Sequence, residues 1–334
     1  MYAAGPPGSN RVRLHTIDDT SKGVMMRTNI VLDEALVAEA MRYAPEWSPN
    51  GTHLAFSDKD GRLYVLEVEK EKLTEVADER DGQLRDYVWS PRGGHLAFTL
   101  TDPTGLRSIY IWTMGDGEPR RVTGEMFNEY GPVWGAKGDY LYFLADHQYS
   151  PQISSIEWNY ALTRETYIYA MALRADVENP FGPQSDEVTI EEKDEEDGKG
   201  TDDESEDGED EQEKDAPIVI DFDGLGDRVA RVPVDADNYG GLSATDKYLV
   251  YVRGGPFFYG RSSGVTPAIK LFDLEERKEE TLTEDAGGYA LSSDGKKILV
   301  RQGGTFKLYD VKPGANDAKV VSTAGLKVDR IPAE

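Results

Sequence analysis

A repeated segment constrains the fold of this chain more than any other feature of its sequence. A tryptophan or leucine anchor occurs five times, each followed by a turn and then by a run of apolar residues. The clearest copies are Glu46–Gly51 followed by His53–Phe56, and Val88–Gly93 followed by His95–Phe98. The successive anchors, which are Trp47, Trp89, Trp134, Leu242 and Leu291, lie 42, 45, 108 and 49 residues apart. Three of these spacings match a structural repeat of about 40 to 50 residues.

Each repeat contains four short apolar segments separated by turn residues, which predicts a four-stranded antiparallel sheet. In the first copy strand A ends at Trp47, and strands B to D cover Leu54–Ser57, Leu63–Val68 and Leu73–Val76. Stacked sheets bury both faces, which explains apolar runs without strict alternation. We therefore predict an all-β fold, a β-propeller of WD40-like or TolB-like four-stranded blades. The five recognisable blades are expected near residues 41–80, 81–124, 125–235, 236–284 and 285–323.

The residues before and after these five repeats are expected to belong to other elements. Residues 1–40 predict a partial blade, with a hairpin over Arg11–Ile30 and then a short helical segment from Leu32. Residues 324–334 are too few to supply the missing strands and are expected to begin a linker to a further module. Because a propeller removes its sheet edges by closing its ring, we expect the chain to be a piece of a larger protein.

Acidic residues are concentrated in one segment of the chain. Residues 184–216 hold 18 Asp and Glu against 3 Lys, a net charge of −15 within a chain of −26. The only large apolar residues of this segment are Val188 and Ile190. The segment therefore cannot bury enough apolar surface to offset the conformational entropy lost on folding. We predict a disordered insertion between the third and fourth strands of the third blade. An electrostatic filter or a docking segment for a basic partner is the alternative.

Composition and motifs exclude several classes of function. No basic stripe is present to neutralise phosphates, so neither nucleic acid nor an anionic membrane is an expected partner. Cysteine is absent, and no nucleophile motif or nucleotide-binding loop occurs. We expect no catalytic residue, no metal and no cofactor in this chain. Asp221–Asp227 only faintly resembles a calcium loop, because it lacks the terminal bidentate Glu.

Candidate contact residues lie where the fourth strand of one blade connects to the first strand of the next. Propellers commonly bind ligands there, around the central channel. The predicted channel residues are Arg85, Asp86, Asn128, Glu129, Tyr130, Asn238 and Tyr239. Their polar and aromatic character suits peptide contact, and ordinary solvated turns are the alternative. His53 and His95 share one repeat slot, which other copies fill with Tyr or Lys, so we predict structural roles for both.

An ordered set of blade-specific segments resembles the second propeller of tricorn proteases and their bacterial homologues. These segments are Arg85–Pro91, Phe127–Val133, Ser154–Ala161, Ala172–Asp176, Asp221–Val229 and Val232–Val234. A charged insertion before Asp221 is also typical of that family. The resemblance covers about Tyr43 to Pro332.

The resemblance implies a cytoplasmic serine endopeptidase assembly, typically hexameric, in which this propeller filters and channels unfolded polypeptides. In that family a helical module, a PDZ-like domain and the peptidase core follow the propeller, and the catalytic Ser and His have no counterpart here. The expected partners are polypeptide substrates, the parent's own peptidase domains and further copies of the chain. Two alternatives stay open: a stand-alone TolB-like or WD-type propeller that binds proteins, and the propeller module of a prolyl-oligopeptidase-like hydrolase.

Deleting residues 186–215 is expected to leave the melting temperature of the chain nearly unchanged, because so few apolar residues lie in that segment. Thermal unfolding followed by circular dichroism measures this. A variant in which a Gly-Ser linker of equal length replaces the segment is the matched control. A fall of several degrees in both variants would show that the segment packs against a blade.

Overall fold

The part of the chain that a computed structural model describes consists almost entirely of β-strands. The described residues are 11–14, 30–33, 45–82, 84, 86–149, 151–153, 160–182, 218–255, 264–314 and 318–324. Within them, the only helical element is one 3₁₀ turn, Leu225–Asp227. None of these ranges contains a helix long and apolar enough to cross a membrane. The predicted all-β class is confirmed.

Twenty-four strands occur in the described residues, numbered in chain order. They are β1 (Arg11–Leu14), β2 (Ile30–Asp33), β3 (Glu46–Trp47), β4 (His53–Ser57), β5 (Arg62–Glu67), β6 (Lys72–Asp78), β7 (Val88–Trp89), β8 (His95–Thr101), β9 (Arg107–Thr113), β10 (Arg120–Arg121), β11 (Asn128–Trp134), β12 (Tyr140–Asp146), β13 (Pro151–Ile153), β14 (Tyr160–Leu162), β15 (Thr166–Ala172), β16 (Val229–Arg231), β17 (Tyr239–Ala244), β18 (Tyr248–Arg253), β19 (Ala268–Asp273), β20 (Lys278–Glu284), β21 (Tyr289–Leu291), β22 (Lys297–Gln302), β23 (Thr305–Asp310) and β24 (Lys319–Val321).

Twenty of these strands form five four-stranded sheets, one for each repeat. Sheet 1 has the order β3-β4-β5-β6, sheet 2 β7-β8-β9-β10, sheet 4 β17-β18-β19-β20 and sheet 5 β21-β22-β23-β24. Sheet 3 has the order β11-β12-β15-β16, because the pair β13–β14 and the acidic segment interrupt it. In each sheet, sequence neighbours lie side by side, which is the strand order of propeller blades. The five recognisable blades are confirmed.

The turn after four of the five anchors explains the repeated Gly of the motif. The glycine N–H donates to the carbonyl three residues earlier at 2.8–2.9 Å, and each glycine has a positive φ that other residues rarely adopt. These glycines are Gly51, Gly93, Gly138 and Gly295. The Ser48 hydroxyl accepts the His53 N–H at 2.9 Å, which closes the turn onto the second strand. The motif is therefore a requirement of the turn.

The contacts of the chain divide it into two compact units. The first contains residues 1–142 and 169–231, and the second contains residues 143–168 and 232–334. In the first unit, sheets 1 and 2 share an apolar core that includes Leu63, Val65, Leu96 and Phe98, each at most 2% exposed. Removing these side chains from water is the main stabilising term for two sheets packed face to face.

Tryptophan anchors connect the first strands of successive sheets in the first unit. The Trp89 indole Nε1–H donates to the Glu46 carbonyl at 3.0 Å, and the Trp134 Nε1–H donates to the Val88 carbonyl at 3.1 Å. Each accepting carbonyl belongs to the residue just before the anchor of the preceding sheet. The same hydrogen bond is therefore made at the same repeat position between both pairs of sheets. The repeated tryptophan therefore sets the spacing of one sheet against the next.

The histidines of the shared repeat slot pack against these indoles. The His53 and Trp89 rings lie 6.3 Å apart between centroids, and the His95 and Trp134 rings 6.2 Å apart. His95 is buried, with Nδ1 3.0 Å from the Thr113 hydroxyl and Nε2 3.0 Å from the Ile218 carbonyl. Because a carbonyl only accepts, Nε2 carries the proton. His95 thus anchors the chain where it returns from the acidic segment.

The second unit has its own core between sheets 4 and 5. Val250, Leu271, Ile298 and Val300 are each at most 1% exposed there. Leucine replaces the tryptophan anchors in these repeats, and a different side chain connects the sheets. The Tyr289 hydroxyl of sheet 5 lies 2.9 Å from the Val250 carbonyl and 3.0 Å from the Ser243 hydroxyl of sheet 4.

Two further antiparallel pairs lie outside the five sheets. Strand β1 pairs with β2, so a hairpin is present near the start of the chain, and β13 pairs with β14. The helical segment predicted from Leu32 is wrong at its start, because Leu32 and Asp33 continue the strand begun by Ile30 and Val31, whose branched side chains favour extended backbone. Residues 34–44, the predicted insertion at 184–216 and the predicted linker beyond 324 lie outside the described residues.

Replacing Trp89 by Phe is expected to lower the free energy of unfolding by about 2 kcal/mol, because the Glu46 carbonyl loses its donor and the core loses volume. Urea unfolding measures this loss. Trp47→Phe is the matched control at the same repeat position, where the side chain is less buried and the loss should be smaller. Equal losses in the two variants would contradict a special role for the indole bond.

Candidate functional site

The predicted contact residues of the first unit lie where strands β7 and β11 begin. Asp86 stands two residues before β7, and Asn128, Glu129 and Tyr130 are the first three residues of β11. The prediction placed the latter three in a connection, and this is corrected: β11 begins early because Tyr130 and Val133 favour extended backbone. Arg85 lies outside the described residues.

The Asp86 carboxylate connects sheet 2 to sheet 3. Its Oδ1 accepts the Thr99 N–H at 3.2 Å, and its Oδ2 accepts the Gly131 N–H at 2.9 Å and the Thr99 hydroxyl. Thr99 lies in β8 and Gly131 in β11, so one carboxylate holds strands of both sheets. Hydrogen bonds to an ionised acceptor are about twice as strong as neutral ones. Asp86 therefore positions the edge of the site, with its oxygens already engaged.

Asn128 and Asn238 make equivalent bonds in the two units. Asn128 Oδ1 accepts the backbone N–H of Arg107 at 3.2 Å, and Asn238 Oδ1 accepts that of Arg164 at 2.9 Å. Each asparagine stands at the start of a sheet, and each arginine lies at, or just before, the third strand of the sheet before it in sequence. The recurrence in two repeats indicates that these asparagines fix the loops.

Aromatic and apolar side chains form the accessible part of the site in the first unit. The Arg107 guanidinium lies over the Tyr130 ring, 3.6 Å from its centroid, which is a cation–π contact. Directly before β11, Met126 is 80% exposed and Phe127 42% exposed, whereas Glu129 is buried. Sequence reasoning missed Met126, Phe127 and Arg107, although two apolar residues in a connection were a visible signal.

In the second unit, Tyr239 opens β17 instead of lying in the connection as predicted, and Asn238 directly precedes it. The Tyr239 hydroxyl donates to the Asp235 carbonyl at 2.8 Å, and its ring meets Tyr251 edge-on with centroids 5.0 Å apart. Burial raises the pKa of Tyr239, and the negative charge of Glu279 raises it further. Tyr239 therefore stays a neutral hydrogen-bond donor.

A cluster of polar side chains continues from Tyr239. The Tyr251 hydroxyl donates to Glu279 Oε2 at 2.7 Å, and Lys270 Nζ lies 3.0 Å from Glu279 Oε1. Burial raises the pKa of Tyr251. Arg253 stands opposite Tyr239 in the strand register and was missed by sequence reasoning, because no motif marks it and only the pairing of β17 with β18 places it here.

The loop that faintly resembles a calcium site is occupied by an arginine. Arg228 Nη1 donates to the Asp223 carbonyl at 2.9 Å, Nη2 donates to the Asp221 carbonyl, and Nε donates to the Ala172 carbonyl at 3.1 Å. The Arg228 guanidinium thus donates to backbone carbonyl oxygens of the kind that a bound calcium ion would need as ligands. Throughout the described ranges, no group of three or more His, Asp or Glu side chains is placed to hold a metal ion.

The chain matches a known family and several known proteins. Residues 17–312 match the family described as the tricorn protease second beta propeller domain. Tricorn protease homolog 1 of Streptomyces coelicolor is 28% identical over 269 residues, which are 78% of this chain and 24% of that protein. The tricorn protease homolog of Saccharolobus solfataricus is 22% identical over 273 residues, which are 80% of this chain and 23% of that protein. The chain spans about a quarter of the length of these curated relatives.

Among solved structures, the crystal structure of the tricorn protease is similar to this chain with a TM-score of 0.66 and 17% identity, over 85% of this chain and 26% of that one. At this identity the similarity supports the propeller fold. The family match begins at residue 17, earlier than the resemblance noted from Tyr43 onward, and therefore includes the second strand of the first hairpin. Because it covers most of the sequence, the chain belongs to the family of tricorn protease second β-propeller domains.

Proposed function

We propose that this chain is the non-catalytic propeller segment of a tricorn-like serine protease, where it gates and channels polypeptide substrates and scaffolds the assembly. The observation that carries the proposal is the exposed Met126–Phe127 pair next to the start of β11, where Arg107 stacks on Tyr130. Unfolded polypeptides expose apolar side chains that folded proteins bury. An apolar and aromatic surface at the start of a sheet therefore suits them.

The hydrogen bonds at these strand ends support a positioning role for the polar residues. Asp86, Asn128 and Asn238 use their side chains to hold neighbouring strands and loops. A gate needs a rigid frame, because its selectivity depends on side chains held at fixed positions. In this proposal the polar residues supply the frame and the aromatic residues touch the passing chain, without preference for one sequence.

The remaining parts of the proposal concern the parent protein. Peptide-bond hydrolysis is assigned to a serine peptidase core outside this segment, and no cofactor is required of the propeller. The partners are unfolded polypeptides, the parent's own peptidase domains and further copies of the chain in a hexamer, in the cytoplasm. The net charge of −26 argues against nucleic acid and anionic membranes as partners.

A single-cysteine crosslinking experiment tests the gating role. The chain has no cysteine, so Phe127→Cys introduces one unique thiol that takes a photoactivatable crosslinker. A reduced and carboxymethylated polypeptide is expected to crosslink at this position in several-fold higher yield than a folded protein of the same size, because only the unfolded chain can reach the strand ends. Gel analysis after irradiation measures the yield.

Lys137→Cys is the matched control for this experiment. Lys137 is exposed in the turn between β11 and β12, at the other end of the same first strand. Its crosslinking yield should be low with both polypeptides. Equal yields at the two positions, or no preference for the unfolded chain at residue 127, would overturn the gating proposal.

A further inference from the structure

Among the residues of the site in the second unit, Arg253 differs in the state of its polar atoms. It is the last residue of β18 and pairs with Tyr239 of β17 and Ala268 of β19. The side chain is partly buried, and its Nε is inaccessible to solvent without a hydrogen-bond acceptor. Within the described residues the Arg253 guanidinium forms no ion pair. An inaccessible N–H without an acceptor destabilises the folded state, because it loses its hydrogen bonds to water and gains none in the protein.

Two of the carboxylates that act on Tyr239, the residue opposite Arg253, already have donors of their own. Glu279 accepts from Tyr251 at one oxygen and lies within 3.0 Å of Lys270 at the other. Asp237 Oδ1 accepts the Asn238 backbone N–H at 2.9 Å and lies 4.0 Å from Arg164 Nε. In the described part of the chain, neither of these two carboxylates forms an ion pair with Arg253.

A second arginine is held on the other side of Asn238. Gly254, the residue directly after Arg253, donates its N–H to the Asn238 carbonyl at 2.8 Å. The side-chain Oδ1 of Asn238 accepts the Arg164 N–H at 2.9 Å. Arg164 has φ 54, a left-handed conformation that non-glycine residues rarely adopt, and its side chain is 72% exposed. Backbone strain of this kind is kept where the surrounding structure enforces it, and it concentrates at functional positions.

We propose that Arg253, together with Arg164 on the other side of Asn238, binds a carboxylate of the polypeptide that contacts this propeller. The inference rests on the proposed function and adds the chemical group that is recognised. A guanidinium presents its N–H groups in a planar fork that matches the two oxygens of a carboxylate. The carboxylate can come from the C-terminus of the polypeptide or from an Asp or Glu side chain, and the two sources share this chemistry.

Fluorescence anisotropy with three forms of one short labelled peptide of Ala, Leu, Ser and Tyr tests the proposal. The first form has a free C-terminal carboxylate, the second a C-terminal amide, and the third an amide with one internal Glu. At least one carboxylate-bearing form is expected to bind the full chain about tenfold more tightly than the uncharged amide, a ratio that corresponds to roughly 1.4 kcal/mol. Tighter binding of the first form alone shows that the C-terminal carboxylate is recognised. Tighter binding of both the first and the third form shows that any carboxylate is recognised.

Arg253→Met should abolish this preference without lowering the melting temperature, because an apolar side chain of similar length removes an inaccessible N–H that lacks an acceptor. Arg253→Lys keeps the charge but loses the fork and should retain part of the preference. The matched control is Arg301→Met near the end of β22, where Nη2 already donates to the Gly287 carbonyl at 3.0 Å; the preference should persist there.

Three outcomes would overturn the inference. Equal affinity for all three peptides excludes a carboxylate site while leaving peptide binding, and therefore the proposed function, intact. Failure of every peptide to bind the wild-type chain counts against the proposed function and this inference together. A large fall in the melting temperature of both the Arg253→Met and Arg253→Lys variants would show that Arg253 is needed for folding.

Discussion

The hydrogen bond from an anchor indole to the backbone of the preceding sheet is the interaction on which the rest of the first unit depends. A sheet packed only by apolar contacts could slide along its neighbour, because hydrophobic burial has no preferred direction. The bond from Trp89 to Glu46, repeated from Trp134 to Val88, fixes the offset between first strands. The contact of Asp86 with Gly131, which also joins two sheets of this unit, requires the same offset. The hydrogen bond has a preferred direction, so it specifies one relative position of two sheets that apolar contacts alone would leave undetermined.

At the strand ends, one set of residues serves stability and another is available for the proposed contact. Amide and carboxylate side chains are good ligands for a peptide backbone, but those of Asn128, Asn238 and Asp86 are engaged with the protein's own backbone. What remains for a partner is the less directional chemistry of Phe127 and Met126. Apolar contacts of this kind tolerate many sequences, which suits the proposed passage of a polypeptide.

The sequence predicted those parts of the fold that repeat, and the reason is physical. Each copy carries the same turn and the same anchor, because each must solve the same packing problem, so the five sheets and their strand order were predictable from Trp47 to Leu291. The candidate site was predictable only as a location. Whether Asp86 points to a ligand or to Gly131 depends on the offset between sheets, which no local pattern records. The Ile218 contact of His95 joins residues 123 apart and had no signal at all.

Arg253 is a second residue whose role could not be predicted from a local sequence pattern. Its importance comes from the absence of an acceptor for its Nε, and an absence of this kind becomes visible only when the neighbours are in place. In a chain with 63 acidic residues, an arginine without an ion pair among the described residues is not a consequence of composition. The carboxylates of Glu279 and Asp237 contact Lys270 and the backbone of Asn238 instead, so these two groups have other partners. In the proposed carboxylate site this cost to stability is retained because stability and binding compete for the same side chain.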